Sequence, residues 1–283
     1  MIFIIILTLF IGSSARNAVW QDEFSIWTDV VLKSHEKARG YNNLGNAYFG
    51  KNLLEKALKM YEIGLHIMPN SHLLHNNTGI VYAAMGQNKR AIQEYNKAIS
   101  IKPDFVDAIC NLANSLEKAK LFDDAIIKYK EVLKISPGYF KAHLNLGILY
   151  HDIGKWDHAM DEFNAALKER PDFADIYYNI GVLYQERGKF DEAVSEYRKA
   201  IKLNPNIKDA HYNLGIIYIK NGLLENAIIE LEAEVKLRPE FAEAHYAVGM
   251  AYERMGNMQK ARQSFDAAFK IAPSLSHQHK NKE

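Results

Sequence analysis

Between Ala38 and Ser274 the apolar and small residues of the chain recur at a spacing of 34 residues. The repeats begin at Ala38, His72, Val106, Phe140, Ala174, Lys208 and Ala242. Within each repeat, positions 4, 7, 8 and 11 fall on one face of a helix, and positions 20, 24 and 27 on one face of a second. The pattern predicts two antiparallel helices per repeat, each of roughly a dozen residues. Position 8 is Gly45, Gly79, Ala113, Gly147, Gly181, Gly215 and Gly249, and position 20 is alanine throughout, from Ala57 to Ala261. Residues with almost no side chain let two helices approach closely. Position 24 (Tyr61, Tyr95, Tyr129, Phe163, Tyr197, Leu231, Phe265) and position 11, mostly tyrosine, fill the space beside that contact.

Punctuation supports the same frame. The chain's seven prolines are Pro69, Pro103, Pro137, Pro171, Pro205, Pro239 and Pro273, and neighbours are always 34 residues apart. Proline there ends the second helix and pushes its predecessor out of the helical region. Glycine recurs near position 15 as Gly86, Gly154, Gly188, Gly222 and Gly256. It suits the left-handed residue that closes the first helix.

This set of positions resembles the tetratricopeptide repeat (TPR). The resemblance implies an all-α fold: a right-handed α-solenoid of seven helix-turn-helix repeats over residues 38–71, 72–105, 106–139, 140–173, 174–207, 208–241 and 242–275. It also implies that the first helix of each pair lines a concave groove. Such arrays bury their core by stacking neighbours. Residues 16–37 form a junction in which Asp22–Lys33 reads as a degenerate half-repeat that caps the first full one. After Pro273 a short polar tail, residues 276–283 with the end of the last repeat before it, is too short for a capping helix. The last repeat is expected to expose an apolar face and to permit self-association.

Residues 1–15 begin MIFIIILTLFIG, with no charge before Arg16. As a helix they would span roughly 22 Å, short of the about 30 Å of a bilayer core. Two readings stand: a signal peptide ending at Ser13-Ser14-Ala15, or the outer end of a longer transmembrane helix. The junction from Arg16 to Gly45 resembles the link between the last membrane helix and the repeats in bacterial proteins similar to the transmembrane-and-TPR O-mannosyltransferases. That family's catalytic part has no counterpart here, so no catalytic residue is carried over. The expected location is membrane-associated, through the N-terminal segment, with the repeats on the extracytoplasmic side.

Composition narrows the chemistry. Lys plus Arg total 35 and Asp plus Glu 34, a net charge of +1. That balance argues against a nucleic-acid partner. One cysteine, Cys110, allows neither an internal disulfide nor a zinc site. No phosphate-binding loop, dinucleotide fingerprint or zinc-protease motif occurs. His75, His143, His211 and His245 all occupy position 4, but equivalent positions on stacked helices lie about 10 Å apart, too far for one zinc shell. They read as half-buried packing residues, and His277 and His279 as tail residues without a specific metal. Asn76-Asn77-Thr78 is a glycosylation sequon inside a predicted helix. The expectation is a non-enzyme with no catalytic residue, cofactor or metal.

The groove carries the positive expectation. Position 6 is Asn43, Asn77, Asn111, Asn145, Asn179 and Asn213, with Ala247 ending the series. Amides both donate and accept, which suits an extended peptide backbone. The series is similar to the asparagine ladder of eukaryotic O-GlcNAc transferase; equally, these amides can bond neighbouring helices. Position 5 adds Tyr178, Tyr212 and Tyr246, an aromatic strip in the last three repeats, and position 9 adds Ile148, Val182, Ile216 and Met250. The carboxylate clamp of chaperone-binding repeats is not matched. Position 2 is often acidic (Asp107, Asp175, Asp209, Glu243), which disfavours a C-terminal carboxylate. The expected partner is a protein or peptide segment held in the groove of an interaction scaffold. The alternative is the acceptor-presenting TPR region of a membrane glycosyltransferase.

Overall fold

The structure, a computed structural model, describes residues 23–276. Residues 1–22 and 277–283, which include the apolar N-terminal segment, the first seven residues of the junction, His277 and His279, lie outside the described residues. Among the described residues there are fifteen α-helices and no strand. The described residues form two compact units that divide between Asn145 and Leu146. The first unit holds α1 (Glu23–Lys33), α2 (Ala38–Gly50), α3 (Leu54–Ile67), α4 (His72–Ala84), α5 (Asn88–Ile101), α6 (Val106–Lys118) and α7 (Phe122–Ile135). The division falls inside α8 (Phe140–Asp152). The second unit continues with α9 (Trp156–Glu169), α10 (Ala174–Glu186), α11 (Phe190–Leu203), α12 (Ala210–Lys220), α13 (Leu224–Leu237), α14 (Ala242–Arg254) and α15 (Met258–Ile271). In each unit the helices pair in chain order and each pair packs on the next, an all-α solenoid of helix-turn-helix repeats.

The first helix closes with a Schellman motif. The position-15 N–H donates to the position-12 carbonyl and the position-16 N–H to position 11, as in Gly86→Ala83 at 3.1 Å and Gln87→Tyr82 at 2.8 Å. All seven position-15 residues have positive φ, including Asn52 at 57° and Lys120 at 62°. Sequence singled out only the glycines. Asparagine visits this region readily; lysine does so at a cost that neighbouring packing overrides.

The glycines of position 8 are required by space. A Cβ on Gly181 would lie 2.7 Å from Tyr197 Cε1, and one on Gly45 would lie 2.4 Å from Tyr61 Cε1. Position 20 is buried in every repeat, as are Tyr61, Tyr95, Tyr129, Phe163, Tyr197, Leu231 and Phe265. At the N-terminal end, α1 lies on α2, with Phe24 edge-on to Tyr48 at 5.1 Å. At the C-terminal end Phe265 and Ala268 are buried, and Phe265 stacks on Phe269 at 6.0 Å. Ser274–Ser276 add a helical turn.

Two expectations change. First, α12 begins at Ala210, two residues later than the frame predicts, because Asp209 is left-handed (φ 64°, ψ −11°). Its carboxylate accepts from Arg238 Nη2 at the end of α13. Second, the membrane-associated, extracytoplasmic location is corrected. Among the described residues no helix is long and apolar enough to cross a membrane. The described helices have 11 to 14 residues, at most about 21 Å against a bilayer core of about 30 Å, and each keeps a polar face.

Gly181→Leu will destabilise the protein by about 1–3 kcal/mol, because the new side chain must displace the Tyr197 ring. Urea unfolding of the two proteins measures the difference; coincident midpoints would refute the position 8–24 contact.

Candidate functional site

Positions 5, 6 and 9 of the first helices carry the predicted site residues, and the two units use them differently. In the N-terminal unit the amides bond one another between repeats. Asn77 Nδ2 donates to Asn42 Oδ1 at 2.9 Å and to Asn46 Oδ1 at 3.3 Å. Asn111 Nδ2 donates to Asn76 Oδ1 at 3.0 Å, and Asn145 Nδ2 to Asn114 Oδ1 at 2.9 Å. Asn42 Nδ2 donates to Asn43 Oδ1 at 3.1 Å, and Asn76 Nδ2 to Asn77 Oδ1 at 3.3 Å. Position 6 is thus one line of a two-dimensional amide lattice that includes positions 5 and 9.

Core tyrosines reach this lattice from below. Tyr61 Oη donates to Asn46 Oδ1 at 2.6 Å, and Tyr129 Oη lies within hydrogen-bond reach of both Asn114 Oδ1 and Glu117 Oε2, one of which takes its single proton. Burial pushes the hydroxyls of Tyr61, Tyr95 and Tyr129 far above the ordinary tyrosine value, so they stay neutral. Sequence assigned these residues to the core alone. Their hydroxyls carry a second role that only the 15-residue offset from Tyr61 to Asn46 hints at.

In the C-terminal unit the lattice ends. Asn179 Nδ2 donates to Asp175 O of its own helix at 2.7 Å. Asn213 Nδ2 lies 3.4 Å from both Tyr178 Oη and Tyr197 Oη. Tyr178, Tyr212 and Tyr246 are half-buried. Their rings also pack: Tyr178 on Tyr197 at 5.8 Å, Tyr212 on Phe241 at 5.1 Å and Tyr246 on Phe265 at 5.2 Å. Desolvation raises all three hydroxyl pKa values. The strip is therefore part core and part surface.

The remaining chemistry is structural. His75, His143, His211 and His245 each set Nε2 2.9–3.1 Å from the carbonyl of the proline six residues earlier, which ties the loop to the next first helix. His75 and His211 also meet Glu94 and Glu230 at 2.6 Å. The Glu230 hydrogen bond raises the pKa of His211. Among the described residues no cluster of three metal-ligating side chains forms. Cys110 is buried, and burial followed by the nearby Asp107 charge pushes its thiol up to about 12, far from a reactive thiolate. Asn76 of the sequon is buried in α4.

One group breaks the repeat pattern. Glu234 stands at position 27, where other repeats have glycine, alanine or valine, and it is fully buried. Arg238 Nε donates to Glu234 Oε1 at 2.6 Å while its Nη2 holds Asp209. Glu234 Oε2 has no hydrogen-bond partner.

Arg238→Met leaves that buried carboxylate uncompensated and will cost about 3–5 kcal/mol in urea unfolding; a loss below about 1 kcal/mol would show that the triad is not coupled. For His211 the folded pKa is raised. The stability it contributes is complete below its unfolded value of about 6.5 and is lost as pH rises through the folded value. The stability gap between wild type and Glu230→Gln will therefore be wider near pH 6 than near pH 9. A gap independent of pH would exclude the charged pair.

Comparison with known proteins accords with this geometry. Family profiles described as TPR repeat match residues 81–119, 149–187 and 183–222. Profiles described as Tetratricopeptide repeat match residues 242–275, and residues 38–62 and 208–241. Among curated relatives, Protein STIP1 homolog of Dictyostelium discoideum is 30% identical over 95 residues, 34% of this chain and 17% of that protein. Protein O-mannosyl-transferase TMTC3 of Homo sapiens is 28% identical over 102 residues, 36% of this chain and 11% of that protein. The peroxisomal targeting signal receptor of Saccharomyces cerevisiae is 34% identical over 82 residues, 29% of this chain and 13% of that protein. The chain thus spans less than a fifth of these relatives' own length. The crystal structure of MamA superposes with a TM-score of 0.53 at 29% identity, covering 59% of this chain and 97% of that one. The Cut9–Hcn1 structure superposes with a TM-score of 0.68 at 18% identity, covering 88% of this chain and 49% of that one, and bears on the fold alone. The sequence profiles and the stacked helix pairs agree, and the chain belongs to the tetratricopeptide repeat family.

Proposed function

We propose that this chain is a non-enzymatic interaction scaffold that binds an extended polypeptide segment along positions 5, 6 and 9 of its first helices. The observation that carries this reading is the row of polar, uncharged side chains on consecutive first helices, with Asn43, Asn77, Asn111 and Asn145 in one unit and Asn179, Asn213, Tyr178, Tyr212 and Tyr246 in the other. Amides held by neighbours and by buried tyrosines are ordered before a ligand arrives, so binding loses less side-chain entropy. Lone pairs and N–H groups beyond those used in the lattice are of the kind that pair with peptide groups. The likeness to a peroxisomal targeting signal receptor supports a polypeptide ligand.

A second reading rests on the local likeness to an O-mannosyl-transferase. There the same surface holds an acceptor polypeptide for a glycosyltransferase whose catalytic part is not among these repeats. Both readings need the same binding face.

A photo-crosslinking residue in place of Asn111 or Tyr212 will capture an unfolded polypeptide such as reduced, alkylated casein. The same residue in place of Ile229, 65% exposed on α13, will not. Equal capture at the three sites would exclude a ligand face on the first helices.

A further inference from the structure

In the C-terminal unit, position 2 is acidic in three consecutive repeats: Asp175, Asp209 and Glu243. Three residues on stand Tyr178, Tyr212 and Tyr246. Residues i and i+3 share a helix face, so α10 and α14 each present an exposed carboxylate beside a half-buried tyrosine ring. Asp175, Tyr178, Asn206, Lys208 and Asp209 border an open cleft of about 350 Å³ between the starts of α10 and α12.

The chain itself displays what this combination holds. Arg238 bonds Asp209 and lies 4.0 Å from the Phe241 ring centroid, a cation seated between a carboxylate and an aromatic face. That pair answers the charge of Asp209, and exposed Lys208 adds one cation at the rim. Asp175 and Glu243 are the two carboxylates left for a partner. They stand two repeats apart, roughly 20 Å at about 10 Å per stacked helix. That distance excludes a shared metal ion, and the acidic row repels nucleic-acid phosphates.

We infer that the first-helix face of the C-terminal unit docks a basic extended segment of a partner protein, with lysine or arginine at both ends of a stretch of about six residues, since an extended chain advances about 3.3 Å per residue. One cation meets Asp175 beside Tyr178, and the other meets Glu243 beside Tyr246. Uncharged residues between them cross Tyr212. This assignment rests on the polypeptide-binding reading and adds the charge and spacing of the ligand.

The test uses the full chain and fluorescent peptides with two lysines separated by five Gly, Ser and Leu residues. Control peptides replace both lysines by glutamine or by glutamate. Fluorescence anisotropy will show the lysine peptide binding roughly tenfold more tightly than the glutamine peptide, with the glutamate peptide weakest. The advantage will shrink as salt is raised. Asp175→Asn combined with Glu243→Gln will abolish it without changing glutamine-peptide affinity, and circular dichroism will show the helical content kept, because both residues are exposed. Equal binding of lysine and glutamine peptides, or a double variant that keeps the preference, overturns the charge assignment and leaves polypeptide binding standing. Failure of every peptide, together with no crosslinking to casein, overturns both.

Discussion

The contact between the small residue at position 8 and the large side chain at position 24 sets the geometry of each helix pair. The missing Cβ at Gly45 or Gly181 is the space that the ring of Tyr61 or Tyr197 occupies. Because the ring passes beneath the first helix, its hydroxyl emerges at the far side. It meets Asn46 from Tyr61, Asn114 from Tyr129 and Gln185 from Tyr197. Core packing and the order of the surface amides are thus two ends of one side chain. A change at position 8 would disturb both.

On this common frame the two units build different surfaces. Asparagines at positions 5, 6 and 9 of the first unit form a lattice in which Asn77, Asn111 and Asn145 each donate to an amide oxygen of the preceding repeat. From position 178 onward the position-5 side chain becomes tyrosine, the amide partners change, and carboxylates gather at position 2. Amide chemistry favours a peptide backbone irrespective of sequence, whereas carboxylates beside aromatic rings select side chains by charge.

The sixth repeat shows what a local exception does. A carboxylate at position 27 cannot be buried without a cation, so Arg238 is drawn to Glu234 and holds Asp209 with its other nitrogen. Asp209 takes a left-handed conformation and α12 begins two residues late. The substitution lies on α13, and its effect appears at the start of α12. Glu234 was not singled out in the sequence, and its partners became visible only in the packed chain.

The sequence by itself determined the number of repeats, the place of the helices and the identity of the buried face. Each of these depends on spacings within one repeat, and 34-residue recurrence displays them seven times. It also located five of the seven left-handed helix ends, because glycine advertises them, while Asn52 and Lys120 do not. The candidate face was legible as a set of positions. Which amide bonds which, how far the tyrosines sink, and where Arg238 goes were decided by the tertiary structure. Those choices join side chains about 30 residues apart on different helices, and their energies depend on distances of tenths of an ångström. A periodic pattern specifies which face a residue occupies; only the packed chain specifies what that residue touches.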